Sequence, residues 1–292
     1  MSAKPYHDRD GSIWMDGKLI PWREAQLHVL SHALHYAGAV FEGERVYGGQ
    51  VFKLKEHSQR LLDSAKMVGY ELPYSLQEIM DATNAVVKAQ NIVDGYVRPV
   101  AWRGSEMMGV AAQKNTIHVA IATWEWPSYF DPEAREKGIR LMMSRWKRPS
   151  PETAPVQSKT SSLYAICTMG KHDAEQQGFH DALMLDWRGH VAEATGANFF
   201  MVKNGDIHTP TPDCFLDGIT RRTVMDLARL RQIKIFERTI LPEEIKSADE
   251  IFLTGTAAEV TPVGQIGDAT FKVGPITRQL IDDYAKEVRK RA

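Results

Sequence analysis

The chain has 292 residues, of which 43% are hydrophobic and 25% are charged, and its formal net charge is -1. This length predicts two domains with their own cores, and the nearly neutral charge argues against a nucleic-acid partner. No stretch has the pattern of a signal peptide or of a membrane span, so we expect a cytoplasmic protein without a membrane partner. The two cysteines, Cys167 and Cys214, form no Cys-x-x-Cys pair and are expected to be free thiols.

The first half of the chain is predicted to begin with strands and to form an α+β domain over residues 1–123. Asp16-Gly17 and Gly48-Gly49 lie between short apolar runs, and such pairs accept the positive φ angles of tight hairpin turns. Apolar residues recur at helical spacing between Lys55 and Val68. The expected strands and helices of this half cover 13–15, 18–20, 46–47, 51–52, 55–68, 75–90, 95–102 and 116–123.

Residues 124–135 contain two prolines and four aromatic residues, which is unusual for a solvated linker. We expect this segment to connect the two domains and to cover a pocket. The second domain is expected over residues 136–292 and is again α+β. Its expected strands cover 138–146, 181–186, 197–203, 207–208 and 251–254, and its expected helices cover 161–177, 220–231 and the terminus from Pro275.

Three histidines, His28, His32 and His35, have the spacing that would place them on one helical face, as in some metal sites. No acidic ligand and no His-Glu-x-x-His pattern accompanies them in the sequence, so a metal site is the less favoured interpretation. We therefore expect no metal and interpret these residues as structural histidines packed beneath a strand of the candidate site.

A series of sequence blocks extends over nearly the whole chain: Ser31–Gly43, Glu56–Leu61, Tyr96–Pro99, Lys159–Tyr164, Glu193–Asn198, Leu216–Thr220 and Thr254–Glu259. In order and spacing these blocks resemble the class IV aminotransferases, and within them the branched-chain amino acid group. The resemblance implies the two-domain α+β fold of fold type IV pyridoxal 5′-phosphate enzymes, similar to D-amino acid aminotransferase. It also implies a cofactor at the domain interface, a reactive lysine in the large C-terminal domain, and a homodimer or higher homo-oligomer.

The activity implied by the resemblance is reversible transfer of the amino group of leucine, isoleucine or valine to 2-oxoglutarate by a ping-pong mechanism. The partners are then amino acids and 2-oxo acids. Such chemistry needs an amine that attacks an aldehyde and then carries a proton, and a lysine does both. The resemblance identifies Lys159 as the Schiff-base lysine, although a lysine in isolation would be interpreted as a solvated surface charge.

The resemblance also assigns the other cofactor contacts. Glu193 is implied at the pyridine nitrogen, which a buried carboxylate keeps protonated, and Tyr164 at the ring oxygen. A phosphate group needs N–H donors at a helix N-terminus together with a cation. The residues implied for the phosphate are Arg60, Gly218, Ile219, Thr220 and Thr256. Each of these is a weak signal alone, because a Gly-Ile-Thr helix start is usually a cap and a helical arginine is usually solvated.

For the substrate, the resemblance implies apolar walls for a small side chain and polar groups near a carboxylate. The walls are Tyr36, Phe41, Trp126 and Tyr129, and the carboxylate region comprises Tyr96, Arg98, Thr256, Ala257 and Ala258. Aromatic walls favour branched side chains because burial contributes roughly 25 cal/mol per Å2 of apolar surface. Outside the family, Arg98 would be interpreted as part of a structural ion pair.

Several interpretations stay open at this point. A D-amino acid or (R)-amine transaminase and an aminodeoxychorismate lyase are alternatives with the same fold, and a non-catalytic binding protein is a remote one. A nicotinamide oxidoreductase is disfavoured because the sequence has no Gly-x-Gly-x-x-Gly between a predicted strand and helix. The chain departs from the family pattern at Glu44, at Ala197 and in the short loop Gly104–Lys114, so the sequence does not define substrate preference and subunit contacts.

Overall fold

The computed structural model describes residues 4–126 and 136–290. Contacts within the backbone divide these residues into two compact units. Unit 1 comprises residues 4–126 together with Ser158–Ser162, and unit 2 comprises the remaining described residues, from 136 to 157 and from 163 onwards.

The predicted division into 1–123, 124–135 and 136–292 stays a prediction, but the two units differ from it in one respect. Lys159 was expected in the C-terminal domain, whereas its contacts group it with unit 1. The physical reason is that the backbone around Lys159 forms hydrogen bonds with Ala39 and Phe41, which belong to the N-terminal half.

Unit 1 contains a seven-stranded sheet in which all pairings are antiparallel. Its strands are β1 (Ser12–Met15), β2 (Lys18–Pro21), β3 (Val40–Phe41), β4 (Glu44–Tyr47), β5 (Gln50–Val51), β6 (Gly95–Arg103) and β7 (Ile117–Glu125). The order is β2-β1-β7-β6-β4-β5, and β3 pairs with β6. Its helices are α1 (His32–Tyr36), α2 (Leu54–Met67) and α3 (Leu76–Ala89), with a 3-10 turn at Trp22–Glu24. Buried Leu61, Ile79 and Val97 join α2, α3 and β6 in one core.

Local sequence signals explain several elements of unit 1. Asp16 and Gly17 have φ angles of 47° and 94°, so the first hairpin turns through two left-handed residues as predicted. Helix α3 begins with a capping box, in which the Glu78 N–H donates to the Ser75 hydroxyl and the Ser75 N–H donates to the Glu78 carboxylate. The predicted second hairpin and the predicted helices over 55–68 and 75–90 are confirmed within a few residues.

Unit 2 contains a nine-stranded mixed sheet. Its strands are β8 (Ile139–Met143), β9 (Asp181–Leu185), β10 (Val191–Ala194), β11 (Asn198–Lys203), β12 (Asp206–Thr209), β13 (Ile235–Glu237), β14 (Glu250–Gly255), β15 (Glu259–Ile266) and β16 (Ala269–Thr270). The order is β10-β9-β8-β15-β14-β11-β12-β13, and β16 pairs with β15. Because β10 also pairs with β11, six of the strands form a closed ring.

The helices of unit 2 are α4 (Tyr164–Gln176), α5 (Ile219–Leu230) and α6 (Pro275–Glu287), with a 3-10 turn at Pro242–Ser247. A further 3-10 turn at Ser161–Leu163 contains the boundary in sequence between unit 1 and unit 2. The core of unit 2 includes buried Leu141, Phe199 and Leu253. In the part of the chain that the structure describes, no helix combines the length and apolar character needed to cross a lipid bilayer.

Strand β15 has no counterpart among the strands predicted from the sequence. It contains Pro262, which lacks a backbone donor and is therefore unusual inside a sheet. In the structure Pro262 is nevertheless paired with Phe252 of β14 inside the sheet. The predicted strand over 138–146 is also shorter than expected and ends at Met143.

The three histidines do not share one environment. His32 is buried and its ring stacks on Tyr36 at a centroid distance of 4.5 Å, whereas His28 and His35 are exposed. The expectation that all three pack beneath a strand is therefore wrong for His28 and His35. The reason is that α1 has only five residues and begins at His32, so no continuous helix aligns the three rings.

Candidate functional site

Lys159 lies on the segment Ser158–Ser162, whose backbone is held by a strand and a helix of unit 1. The Phe41 N–H donates to the Lys159 carbonyl at 3.1 Å. On α2, the Ser64 hydroxyl accepts the Lys159 N–H at 2.9 Å, and the Ser64 carbonyl accepts the Ser158 hydroxyl at 2.9 Å. These bonds fix the backbone from which the Lys159 amine projects.

The amine of Lys159 is in an environment that disfavours its charged form. The side chain is partly buried, and its Nζ lies 5.1 Å from the centroid of the Phe41 ring. Burial, and after it the positive charge of Arg60, lower the pKa of Lys159 to about 8, while Glu42 opposes this shift. An appreciable fraction of the amine is therefore neutral near neutral pH, and a neutral amine attacks a carbonyl carbon.

A buried ion pair accounts for the position of Arg60. Glu42, directly after β3, is fully buried and accepts two charge-assisted hydrogen bonds from Arg60, at 2.6 Å from Nε and at 2.8 Å from Nη2. Its Oε2 also lies 2.7 Å from Nδ1 of His57 on α2. Burial acts to raise the pKa of Glu42, but Arg60 and His57 outweigh it and hold this pKa well below its usual range. An ionised Glu42 thus fixes the direction of the Arg60 guanidinium.

Four of the predicted substrate residues form one connected group in unit 1. The guanidinium of Arg98 lies 4.8 Å from the centroid of the Phe41 ring and donates from Nη2 to the Tyr96 hydroxyl at 3.3 Å. The ring of Tyr96 lies 5.0 Å from that of Trp126. A Cβ at Gly43 would lie only 1.9 Å from the Tyr96 hydroxyl oxygen, so a glycine is needed for this close approach. The group offers aromatic surface with one cation.

The other two predicted wall residues are placed differently. Tyr36 is 44% exposed, and its hydroxyl donates to the Met108 carbonyl at 3.0 Å. Its ring and hydroxyl thus lie at the surface of unit 1, and its assignment as a wall residue stays a prediction. Tyr129 lies outside the described residues, so its assignment stays a prediction.

In unit 2, Glu193 is held by an amide and a guanidinium. It lies on β10 beside a register shift in the pairing with β9. The Asn198 side-chain N–H donates to Glu193 at 3.1 Å, and Nε of Arg148 lies 3.5 Å from the other carboxylate oxygen. Burial acts to lower the pKa of Arg148. The negative charge of Glu193, with smaller effects from groups that include Tyr164, outweighs burial, and the pKa of Arg148 is raised. Glu193 is therefore an oriented acceptor.

The N-terminus of α5 packs close to the same asparagine. Gly218 immediately precedes this helix, and a Cβ at Gly218 would lie 2.2 Å from Oδ1 of Asn198. Ile219 and Thr220 are buried in the first turn. The N-cap residue Gly218 has no side chain to cap this N-terminus, so the N–H groups of the first turn can bind an anion.

The end of β14 contributes hydroxyl groups. Thr254 pairs with Asn198 of β11, and its buried Oγ1 has no hydrogen-bond partner among the described residues. The predicted residues Thr256, Ala257 and Ala258 follow in the partly exposed turn before β15. An orphaned buried hydroxyl and an uncapped helix N-terminus are features that a bound phosphate satisfies, so these groups fit the phosphate of pyridoxal 5′-phosphate.

The structure adds residues that the sequence analysis did not single out, notably Glu42, His57, Arg148 and Asn198. One signal was available for the first two. His57 and Arg60 are three residues apart and lie on one face of α2, which would have suggested a buried acidic partner. No local signal existed for Arg148, which is distant in sequence from Glu193. Asn198 lies opposite Glu193 in the hairpin of β10 and β11, and the strand β10 was not predicted.

Comparison with known proteins agrees with the geometry of both units. The model of the family described as amino-transferase class IV matches residues 39–266. The branched-chain-amino-acid aminotransferase of Pseudomonas aeruginosa is 41% identical over 95% of this chain and 92% of its own. The branched-chain aminotransferase structure from Thermoproteus uzoniensis, determined with norvaline, is 35% identical with a TM-score of 0.92 over 96% of this chain and 95% of that chain.

A second structure, determined with its cofactor, was also matched. The branched-chain amino acid aminotransferase from Thermobaculum terrenum, in its PLP-form, is 32% identical to this chain. Its TM-score is 0.87, and the match covers 96% of this chain and 94% of that chain.

Proposed function

Because this chain belongs to the class IV aminotransferase family, we propose that it uses pyridoxal 5′-phosphate to transfer the amino group of leucine, isoleucine or valine to 2-oxoglutarate. The observation that carries the proposal is the amine of Lys159. It is partly buried, its backbone is fixed by Phe41 and Ser64, and its pKa is lowered to about 8. A transaminase needs such an amine to attack an aldehyde and to move a proton.

Each predicted cofactor residue then has a task that its surroundings support. When bound, the cofactor supplies an aldehyde and an electron-withdrawing ring. Lys159 would hold the aldehyde carbon of the bound cofactor through its neutral amine, and its Nζ would carry the proton of the substrate's Cα. Glu193, whose carboxylate is oriented by Asn198 and Arg148, would hold the pyridine nitrogen. Tyr164 would hold the ring oxygen.

The phosphate is proposed to bind residues that present donors or a positive charge. Arg60 supplies the cation, and Glu42 fixes its direction. The first turn of α5 supplies backbone N–H groups. The residues with this proposed task are Arg60, Gly218, Ile219, Thr220 and Thr256.

Substrate selection is proposed to depend on the aromatic group of unit 1. Phe41, Tyr96 and Trp126 offer apolar surface to a branched side chain, and burial of that surface contributes roughly 25 cal/mol per Å2. Arg98, which contacts Phe41 and Tyr96, supplies a positive charge near the α-carboxylate of the substrate. Tyr36, Tyr129, Ala257 and Ala258 complete the proposed set of substrate contacts.

The test compares the turnover of three candidate substrates by the purified protein. We expect L-leucine, with 2-oxoglutarate as acceptor, to yield glutamate and 4-methyl-2-oxopentanoate, with a change in the visible spectrum of the cofactor. D-alanine and aminodeoxychorismate serve as the contrasting substrates. Pyruvate formed from D-alanine without turnover of L-leucine would contradict the proposal in favour of a D-amino acid transaminase. Pyruvate formed from aminodeoxychorismate alone would contradict it in favour of a lyase.

We further propose that the chain acts as a homodimer through an apolar surface of unit 1. Val29 and Val110 on this unit are 71% and 85% exposed, and Leu27 and Leu34 are exposed as well. The two leucines border a cavity of about 570 Å3 whose lining includes Met15, Val100 and Trp102. A second copy is the simplest occupant, because a two-fold interface buries the exposed side chains and the cavity of both copies at once.

Light scattering after gel filtration tests the dimer. We expect the mass of two chains for the unaltered protein and of one chain for Val29→Glu with Leu34→Glu. Leu230→Glu, at a residue of unit 2 that is 78% exposed, is the control and should leave the mass unchanged. A monomeric unaltered protein would refute the homodimer.

A further inference from the structure

Glu44 is a buried acidic side chain that the proposed reaction does not use. It lies on β4 with no exposed surface, and neither carboxyl oxygen has a hydrogen-bond partner in the described part of the chain. Its cross-strand neighbour is Val97, which offers no polar group from its side chain. An ionised carboxylate in such a position is strongly destabilised, so Glu44 must be neutral at neutral pH. Burial, and to a smaller extent Glu42, raise the pKa of Glu44 well above its usual range.

Two charged groups of the described chain act on Glu44. Glu42, two residues before it, raises its pKa further, and Arg60 of α2 opposes this. His57 of α2 contacts Glu42. Arg60 forms its two-point ion pair with Glu42. His57 is neutral at neutral pH because burial lowers its pKa despite the nearby Glu42. The negative charge of Glu42 and the positive charge of Arg60 therefore cancel, but only while Glu44 carries a proton.

We propose that Glu44 is a positioning residue whose bound proton leaves Glu42 as the single carboxylate that orients Arg60. Loss of this proton at alkaline pH introduces a second buried carboxylate, which competes for the Arg60 guanidinium and turns it from the direction that Glu42 imposes. The inference rests on the proposed contact between Arg60 and the cofactor phosphate. It adds a control by pH on that contact.

The affinity for a phosphate ligand is expected to depend on pH in a defined way. If binding requires the protonated form of Glu44, affinity falls by up to about tenfold for each pH unit above its ionisation. A purely structural role for Glu44 would change stability but would not give an affinity loss that follows one ionisation. Pyridoxamine 5′-phosphate is the suitable probe, because it has the phosphate and the ring but no aldehyde for Lys159 to attack.

The experiment uses the full chain freed of cofactor, with Glu44→Gln as the permanently neutral variant. Glu71→Gln, at an exposed glutamate of unit 1, is the matched control. Infrared spectra at neutral pH should contain a protonated-carboxyl C=O band that is missing in E44Q and present in E71Q. This readout is independent of any cofactor. If the spectra of wild type and E44Q do not differ in this band, the proposal is overturned.

Binding of pyridoxamine 5′-phosphate is then measured by equilibrium dialysis from neutral to alkaline pH. We expect the three proteins to bind the probe with similar affinities at neutral pH. At alkaline pH the affinity should fall in wild type and E71Q but not in E44Q. The loss should follow the disappearance of the infrared band. If E44Q and wild type lose affinity in parallel, the proposal is overturned although the proposed function stands. If no variant binds the probe at any pH, the proposed function itself fails, and the role of Glu44 fails with it.

Discussion

Unit 1 and unit 2 hold their candidate site residues in different ways. In unit 1 the important contacts are between charged side chains. Glu42 binds Arg60 at two points, and burial and after it Arg60 lower the pKa of Lys159. In unit 2, only Glu193 with Arg148 forms an ion pair among the residues described for the site. The remaining contacts there come from neutral groups, such as the Asn198 amide and the first turn of α5.

This difference separates two tasks. Buried charges act on one another over several ångströms, so they are suited to setting the proton affinity of a reactive amine. Neutral amides and backbone N–H groups act only at hydrogen-bond distance, so they are suited to fixing position. The site residues of unit 1 are therefore expected to be most sensitive to substitutions that change charge. Those of unit 2 are expected to be most sensitive to substitutions that change side-chain shape.

The largest effect is expected for Lys159→Ala. Removing the amine removes the group that attacks the aldehyde, so transfer from L-leucine to 2-oxoglutarate should fall by roughly a thousandfold or more. Borohydride treatment of the unaltered protein with pyridoxal 5′-phosphate should leave a pyridoxyl group on the Lys159 peptide. Lys66→Ala, at an exposed residue of α2, is the control and should keep both properties. Labelling at a different lysine would disprove the assignment.

The next effect is a loss of stability in Glu42→Gln. An amide cannot neutralise the partly buried guanidinium of Arg60, so the free energy of unfolding should fall by about 3 kcal/mol at neutral pH. A carboxyl whose pKa is lower in the folded than in the unfolded chain stabilises the fold above its unfolded pKa. That contribution is lost as pH falls through the folded pKa.

Urea denaturation at several pH values measures this effect. Because the pKa of Glu42 is held below its usual range, the difference between wild type and E42Q should shrink as the solution is acidified below the usual glutamate range. Glu71→Gln controls for the loss of an exposed charge. A difference that stays constant in acid would show that the ion pair does not stabilise the fold.

Local features of this fold could be predicted from the sequence. Asp16-Gly17 specifies its hairpin through two positive φ angles, and Ser75 with Glu78 specifies the start of α3. Both signals act within four residues, so they need no knowledge of the rest of the chain. The family resemblance extended this to the choice of candidate residues such as Lys159, whose roles stay proposals.

Long-range features could not be predicted. The pairing of Lys159 with Phe41 joins segments more than a hundred residues apart, and it decides that the lysine belongs to unit 1. The ion pair of Glu42 depends on how α2 packs against β3, which no local pattern encodes. Strand β15 was not predicted, and only its pairing with β14 places Pro262 opposite Phe252 inside the sheet, although a proline locally disfavours a strand.

A change of shape in unit 2 is tested by Gly218→Ala. The added Cβ would lie 2.2 Å from Asn198 Oδ1, so Asn198 has to move and its bond to Glu193 is strained. Overpacking of this kind costs about 2 kcal/mol, and pyridoxamine 5′-phosphate should bind roughly 30-fold more weakly. The control is Gly196→Ala, where the added atom meets nothing within 4 Å. Equal affinities of the two variants would argue against a tight fit at α5.

The smallest effect concerns the charge of unit 1 and is expected for Arg60→Met. Burial is the largest cause of the lowered pKa of Lys159 and remains in this variant, so only the part due to Arg60 is lost. The pKa should rise above about 8 without reaching the ordinary lysine value of 10.5. Pyridoxal, which lacks the phosphate, isolates this effect because it removes the proposed binding role of Arg60 from the comparison.

The rate at which Lys159 reacts with pyridoxal should follow the neutral fraction of the amine, with a midpoint near pH 8 in the unaltered protein. A shift of about one unit in R60M makes the reaction about tenfold slower below the midpoint. Arg23→Met, at an exposed arginine of the same unit, should leave the midpoint in place. Since a lost cation can only favour the ammonium form, a midpoint that moved to lower pH would mean that Arg60 does not act on Lys159 through its charge.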